Sequence, residues 1–392
     1  MSITKRIKTR NMNNILLTTV KNSGHYYFLI SAARAYLMKK NKKNYDIQLF
    51  KKKNYVYPIF FILKNIFTFI YFNPTKIVNF RYRNYKIGRY TIPMIFKKYN
   101  SYNSKTNLFI NTLTSFYRSC CIVDSTREYF DEKRIDTIFI DHCMYENGIL
   151  LEIFLSKKIK VISLGYPKGI FIIENSKKKN LSYERIIQID NKKKLNEKQL
   201  ARAKKALREI TYNTEKIPWM KNIKFKYDNF FSNDKITHIV YLHSFTDAQL
   251  LYGFDGFLNV YEWIQFTIKE LIKNKKNKIL IKAHPSIFHT KFPTNFIKYD
   301  QKICNQLLLE YSNVKNVNFI IKPIKNIDIL KNINKKCILI SHHGSAILEG
   351  LYCGFKCISS KATLWNKKYR LTNSWSNKNQ YKNFLNRKWD NL

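Results

Sequence analysis

Acidic residues are scarce in this chain. It carries 26 Asp and Glu against 71 Lys and Arg, a formal charge of +45, so partners drawn by charge are anionic: phosphoryl donors, anionic lipid headgroups or nucleic acid. Lysine is spread along the chain in company with Asn, Ile and Tyr, as an AT-rich coding sequence would produce, and only part of the charge reflects a partner. Cysteine is sparse and odd in number: the seven residues are scattered through apolar segments and show no zinc-like spacing. That pattern speaks against a disulfide framework and a structural metal, and for reduced buried thiols in a cytoplasmic protein. Long hydrophobic runs are missing as well. The most apolar stretch, Val56 to Phe72, is interrupted by Pro58, Lys64 and Asn65, and reads as a buried or interfacial helix instead of a membrane span. Met1 to Asn14 is polar and basic without an apolar centre, so no signal peptide is expected. No Asp-x-Asp triplet stands at a strand end, and neither a divalent metal nor another cofactor is expected.

What is present is enough apolar material for two cores. At 392 residues, 45% of them hydrophobic and 15% aromatic, the chain exceeds the size at which one core keeps growing. Strand-like runs at Asn14 to Val20 and Tyr45 to Phe50 flank a helix over Tyr26 to Lys39. A helix is expected over Leu108 to Phe130, then strand Ile135 to Ile140, helix Tyr145 to Leu155 and strand Lys160 to Leu164. Residues 175–235 turn charged and polar, with a helix at Glu197 to Ile210. The second half is more regular, with strands at His238 to Leu242, Lys278 to Lys282, Val317 to Ile321, Cys337 to Ile340 and Lys356 to Ser359 alternating with helices. The pattern predicts an α/β protein with two Rossmann-like parallel-sheet domains, 1–174 and 236–365, facing each other across a cleft, joined by a charged segment at 175–235. Residues 366–392 are expected to return toward the N-terminal domain.

Three strand ends of the second half carry His or Ser among small residues: His243 with Asp247, His284 with Pro285 and Ser286, and Ser341 with His342, His343, Gly344 and Ser345. In a parallel sheet these ends line one edge, where ligands bind. Gly344 allows close backbone approach, and the amides opening the following helix attract phosphate. Glu349, one turn later, suits the two hydroxyls of a ribose. Pro285 restricts His284 to an extended or turn conformation. Beside Lys282, that imidazole suits a phosphate oxygen and could neutralise a departing nucleotide. Adjacent side chains of an extended segment point opposite ways, so one of His342 and His343 faces the cleft. In the first half Asp141, His142 and Glu146 fall at or just past a strand end, and His25 follows Gly24 in the first β–α turn. Glu146 and Asp141 rank ahead of His25 as a base for an acceptor hydroxyl.

The segments Val240 to Ala248, Tyr261-Glu262-Trp263, Ile281 to Ser286, His343-Gly344-Ser345, Glu349-Gly350 and Gly354-Phe355-Lys356 resemble the bacterial surface and capsular polysaccharide glycosyltransferases of GT-B architecture. This is the His-Pro motif group that includes Kdo transferases and polysialyltransferases. The resemblance covers about residues 236 to 360 and is weak before them. It implies an inverting, metal-independent transferase whose C-terminal domain holds a nucleotide-sugar donor, with a CMP-linked sugar suggested by the nearest relatives. His284 and Ser341 to Glu349 would contact the nucleotide. The acceptor would be a surface polysaccharide or lipid-linked glycan, and the place of action the cytoplasm or the inner face of the membrane, where the basic, aromatic stretch 51–100 suits a peripheral contact with anionic lipid. Tyr145-Glu146-Asn147-Gly148 is similar to the acidic-acidic-Gly motif that holds the base in some of these enzymes, with Asn147 departing from it. Two other readings compete: a CDP-polyol phosphotransferase of teichoic-acid type, and a nucleic-acid-binding protein. Net charge alone suggests the latter; no nucleic-acid module is recognisable, and the aromatics lie in apolar runs.

Overall fold

Strands that are apolar on both faces and alternate with helices should build sheets covered on both sides. The computed structural model describes residues 13–17, 31, 33–34, 45–98, 101, 104–132, 135, 137–140, 144–165, 169–173, 196–213, 223–225, 236–247, 250, 253–288, 295–363, 365–366, 370–387 and 389. The chain divides into two units, Met1–Ile95 with Leu108–Asn191, and Phe96–Asn107 with Lys192–Leu392.

The first half runs β1 (Asn13–Leu17), β2 (Tyr45–Leu49), α1 (Tyr57–Lys64), α2 (Ile66–Ile70), α3 (Pro74–Val78), the hairpin β3 (Arg81–Tyr82) and β4 (Tyr85–Lys86), α4 (Gly88–Phe96), α5 (Lys105–Glu132), β5 (Thr137–Ile140), α6 (Tyr145–Ser156), β6 (Lys160–Gly165) and β7 (Gly169–Ile173). Its sheet is ordered β2-β1-β5-β6-β7. All neighbours are parallel except β7, which is antiparallel to β6. Sequence reading missed β7 because Gly165 and Pro167 just before it, and Gly169 at its start, mask the apolar run Gly169 to Ile173. The helix expected from Pro58 to Phe72 breaks at Asn65, whose amide donates to the Phe61 carbonyl at 2.8 Å. Most of the predicted Tyr26–Lys39 helix lies outside the described residues.

The second half runs α7 (Glu197–Tyr212), β8 (His238–Tyr241), α8 (Val260–Leu271), β9 (Ile279–Lys282), α9 (Asn295–Tyr311), β10 (Val317–Ile320), α10 (Asn326–Lys331), β11 (Ile338–Ser341), α11 (Ala346–Tyr352), β12 (Lys356–Ser360), β13 (Asn373–Trp375) and α12 (Lys378–Leu385). The sheet is ordered β10-β9-β8-β11-β12-β13, and every neighbouring pair is parallel. Renumbered within the sheet this is 3-2-1-4-5-6, the doubly wound dinucleotide-fold order, with its switch point between β8 and β11. Alternation divides the core into two layers. Val240, Ile281, Ile340 and Ile358 pack with Trp263, Leu307 and Tyr381 on one face; Ile239, Leu280, Leu339 and Cys357 pack with Ile329 and Ile347 on the other.

Two further segments pack within the second unit. The C-terminal helix, expected to run back toward the N-terminal domain, is packed within the second unit. Tyr381 is fully buried, shares a 2.7 Å hydroxyl hydrogen bond with Thr267 of α8, and lies 4.2 Å from the Trp375 ring. The charged 175–235 segment, expected between the domains, contributes α7 to the same unit: Lys331 of α10 lies over the Tyr212 ring at 5.3 Å.

His238 opens β8 and is buried, which pushes its imidazole down to about 4. The unfolded chain takes up this proton near pH 6.5 while the folded chain resists it. Stability is therefore unaffected above pH 6.5 and falls as the pH drops from 6.5 toward 4, by about 3 kcal/mol from this residue. Urea unfolding followed by tryptophan fluorescence should show that loss, with a shallower pH dependence for His238→Gln.

Candidate functional site

The strand register makes the site. Tyr241 of β8, Lys282 of β9 and Ser341 of β11 lie on one register line, continued by Ile320 of β10 and Ser359 of β12. The ladder runs one residue further: the Leu242 amide donates to the Lys282 carbonyl at 2.9 Å and the Ser360 amide to the His342 carbonyl at 3.0 Å. Two residues past the line, three neighbouring strands present His284, His243 and His343, with Lys322 and Lys361 at the equivalent positions on the flanking strands. The side-chain period of two puts residues at the same offset on the same face. The rings meet as this predicts: His243 to His343 is 3.8 Å between centroids and His243 to His284 is 5.3 Å.

His342, one residue off that row, turns to the opposite face. Its ring packs edge-on against Trp263 at 5.5 Å and Trp375 at 5.9 Å, and its Nε2 lies 3.0 Å from Asp255 Oδ2. Asp255 is 1% exposed. Burial alone would raise its carboxyl, but the His342 ring, Ser360 and the Phe257 amide outweigh burial and hold it below the usual carboxylate value. The ionised Asp255 draws a ring proton of His342 to Nε2. That leaves His342 Nδ1 as an acceptor 2.7 Å from His343 Nδ1, so His343 carries its proton on Nδ1 and keeps a lone pair on Nε2. His343 Nε2 is buried without a hydrogen-bond partner. Burial, then His243, His342 and His284, push the His343 imidazole well below its ordinary value.

The other two imidazoles are also oriented by the backbone. His243 Nδ1 donates to the Ser244 carbonyl at 3.1 Å, and burial keeps that ring uncharged despite the opposing pull of Asp247. His284 Nδ1 accepts from the Ser286 amide at 3.2 Å and lies 2.7 Å from Ser286 Oγ, which places the proton of the neutral ring on Nε2. Pro285 opens the single turn Pro285–Phe288 that supplies this amide. The loop after β8 is anchored by Asp300 of α9, which accepts from Ser244 Oγ at 2.6 Å and from the Phe245 amide at 2.9 Å. Burial raises its carboxyl to about 6.

Beneath the row lies a buried cation and anion. Lys282 is 5% exposed and its ammonium makes no hydrogen bond to any described residue; burial lowers that ammonium to about 8 against the pull of Glu349. Burial raises Glu349 to about 7, opposed by Lys282 and by Asn326, whose amide donates to it at 3.0 Å. The Glu349 carboxylate, expected from the sequence to meet ribose hydroxyls, thus has one oxygen already occupied by Asn326. Gly344 is required by close approach: its amide donates to Ser341 Oγ at 3.1 Å, and a Cβ there would stand 2.7 Å from that oxygen. Ser345 is exposed and makes no side-chain cap to α11.

Of the residues singled out in the sequence, the structure places His243, Lys282, His284, Ser341 and His343 at neighbouring strand ends and Glu349 in α11. Sequence reading missed Asp255, Asp300 and Asn326, on a loop and two helices, and Trp375 on β13, none with a motif around it. In the first unit Glu146, in the first turn of α6, is ion-paired with Arg118 of α5. Tyr145 before it has φ 55, a left-handed backbone that costs a non-glycine residue energy and aims the first turn of α6. Gly148 has a packing reason of its own: a Cβ would fall 2.1 Å from the Tyr90 ring. Asp141, His142 and His25 lie outside the described residues.

No family model matches the chain and no curated protein matches it. Solved structures do. The Thermosulfurimonas dismutans KpsC, a beta Kdo 2,4 transferase, aligns with TM-score 0.39 at 11% identity, covering 64% of this chain and 78% of that one. The Methanocaldococcus jannaschii UDP-GlcNAc 2-epimerase in complex with UDP-GlcNAc and UDP aligns with TM-score 0.30 at 14% identity, covering 96% and 93%. The Neisseria meningitidis UDP-GlcNAc 2-epimerase aligns with TM-score 0.29 at 12% identity, covering 89% and 82%. Similarities of this size leave the functional reading to the chain's own residues.

Two substitutions probe the geometry. Asp255→Asn should release the proton preference of His342 and mix the tautomers of His343; ¹⁵N NMR of the imidazoles reads this directly, and an unchanged His343 spectrum would refute the relay. Gly344→Ala should destabilise the second unit by about 1–3 kcal/mol through overpacking, and adding Ser341→Ala should recover part of that loss in thermal unfolding.

Proposed function

We propose that the chain is an inverting glycosyltransferase that moves a sugar from a nucleotide-sugar donor, with a CMP-linked sugar the first candidate, to a surface polysaccharide or lipid-linked glycan at the cytoplasmic side of the membrane. One observation carries this reading: at the switch point of a doubly wound sheet, three oriented imidazoles stand in one row above a buried Lys282 and Glu349. Such an arrangement offers a phosphate the Nε2–H of His284 and the Lys282 cation, in a place where that sheet order binds nucleotides.

In the proposed reaction the acceptor hydroxyl oxygen attacks the anomeric carbon. The bond between that carbon and the phosphate oxygen breaks, and its electron pair leaves with the nucleotide. The Nε2–H of His284 and the ammonium of Lys282 stabilise the charge that develops there, while His243, Asp247, Pro285, Ser286, Ser341, His343, Gly344 and Ser345 shape the donor pocket. Glu349 takes the ribose hydroxyls with the oxygen that Asn326 leaves open. The acceptor proton goes to a carboxylate of the first unit, Glu146 or Asp141, or failing these to His25. For Glu146 to act, its pairing with Arg118 must loosen.

Thermal-shift screening with CMP, UDP, GDP and CDP, set beside a salt-dependent DNA titration, tests the class. Stabilisation by one nucleotide without steep salt-sensitive DNA binding supports transfer, and the converse refutes it. With the donor so found, His284→Ala should lower kcat about 10²- to 10³-fold, and Lys282→Met should weaken nucleotide binding. If Glu146→Gln and Asp141→Asn both keep normal rates, the carboxylate assignment falls. Activity should survive EDTA; loss that manganese restores would show that a metal is required. Transfer of a polyol phosphate from a CDP-linked donor, with no sugar transfer, would favour the alternative chemistry.

A further inference from the structure

The first unit carries an apolar face that no described residue covers. Helices α1 and α2 bury Pro58, Ile62 and Phe69 against the unit. Along the opposite side run Val56, Phe60, Leu63, Phe67 and Tyr71, spaced four, three, four and four residues apart, which is one face of a helix. These are large and open: Phe60 is 64% exposed, Phe67 70% and Tyr71 80%. Half of the sixteen large exposed hydrophobics found among the described residues fall between Val56 and Tyr71. Contiguous exposed apolar surface of this kind marks an interaction site.

The charge around the face selects its partner. Residues 51–100 contain eleven Lys and Arg and no Asp or Glu. Lys53 is paired with Glu128 and Arg83 with Asp124. Lys51, Lys52, Lys64 and Lys76 are exposed and make no ion pair among the described residues. Arg83 holds its guanidinium 4.7 Å over the Tyr57 ring, so a cation and an aromatic lie side by side at the start of α1. A second copy of the chain docked here would set one basic segment against another, at an electrostatic cost. An anionic bilayer meets both features at once: acyl chains accept the aromatic stripe, and lipid phosphates accept the lysines that flank and interrupt it. The two helices together are too short to span a membrane core, and no helix among the described residues is long and apolar enough to cross one.

We infer that α1 and α2 form an in-plane membrane-docking face, by which the protein binds the surface of an anionic lipid bilayer through Phe60, Leu63, Phe67 and Tyr71 with Lys64 and Lys76 on lipid phosphates. This inference does not rest on sugar transfer, since it needs neither donor nor acceptor.

Co-sedimentation of the full chain with phosphatidylcholine vesicles and with vesicles containing phosphatidylglycerol tests it. The chain should bind the anionic vesicles, and added salt should weaken the binding. Leu63→Asp with Phe67→Asp should lower that binding about tenfold or more, and Lys64→Glu with Lys76→Glu should lower it separately. Circular dichroism and melting should stay unchanged in both variants, because the altered side chains are solvent-exposed. The inference is overturned if the wild-type chain ignores anionic vesicles or if the aspartate variant binds them equally well. It is also overturned if that variant dissolves an oligomer seen by light scattering while no vesicle binding occurs, which would make the face a contact between copies. Intact vesicle binding in a chain that transfers no sugar leaves this inference standing and removes the other reading.

Discussion

Three half-buried imidazoles in one row disfavour positive charge on one another, because each added proton meets both the cost of burial and the repulsion of its neighbours. That constraint organises the second unit. It explains why each ring is tied to a backbone group or to another ring that fixes where its single proton lies. It also explains why positive charge in the region is delegated to Lys282, one step back along β9, with Glu349 near enough to moderate it. Neutral rings with assigned N–H and lone-pair positions recognise a ligand by direction, and a nearby cation recognises it by charge.

The rings are brought together by the parallel ladder, and that part of the site was legible in the sequence. Runs such as His238 to Leu242 and Lys278 to Lys282 are apolar on both faces and end in polar or small residues, so strand and strand end could be read together. What the runs do not encode is pairing order. The 3-2-1-4-5-6 arrangement that makes β8 the neighbour of both β9 and β11 follows from crossover handedness and helix packing over the whole unit. The choice between His342 and His343 follows from it as well. With the register line at Ser341, parity turns His343 to the row and His342 to the tryptophans. Asp255 and Asp300 were invisible because an isolated aspartate has no local pattern; their role comes from folding distant segments onto the ends of β8 and β11.

The first unit was less legible for physical reasons that differ from place to place. Between Lys51 and Asn100 the aromatic and basic residues show weak periodicity because short helices, a tight hairpin and a helix break at Asn65 succeed one another within a few turns. Gly148 looked like part of a functional motif, yet the Tyr90 ring is sufficient reason for it. Asn147, standing where an acid was expected, leaves Glu146 alone beside Arg118. The motif therefore mixes packing demands with chemistry, and only contacts separate the two.

The last elements of the chain have a bearing on how the protein is made. Trp375, on the final strand, forms part of the wall behind His342, and Tyr381 of the closing helix packs against that tryptophan and against α8. All the imidazoles have been synthesised well before this wall exists. During translation the histidine row therefore lacks the Trp375 wall on the His342 side until residues 373–385 emerge. A chain cut short by a few dozen residues would retain every histidine and lose the environment that keeps them oriented, so the integrity of the site is set by the end of the sequence farthest from the first strand.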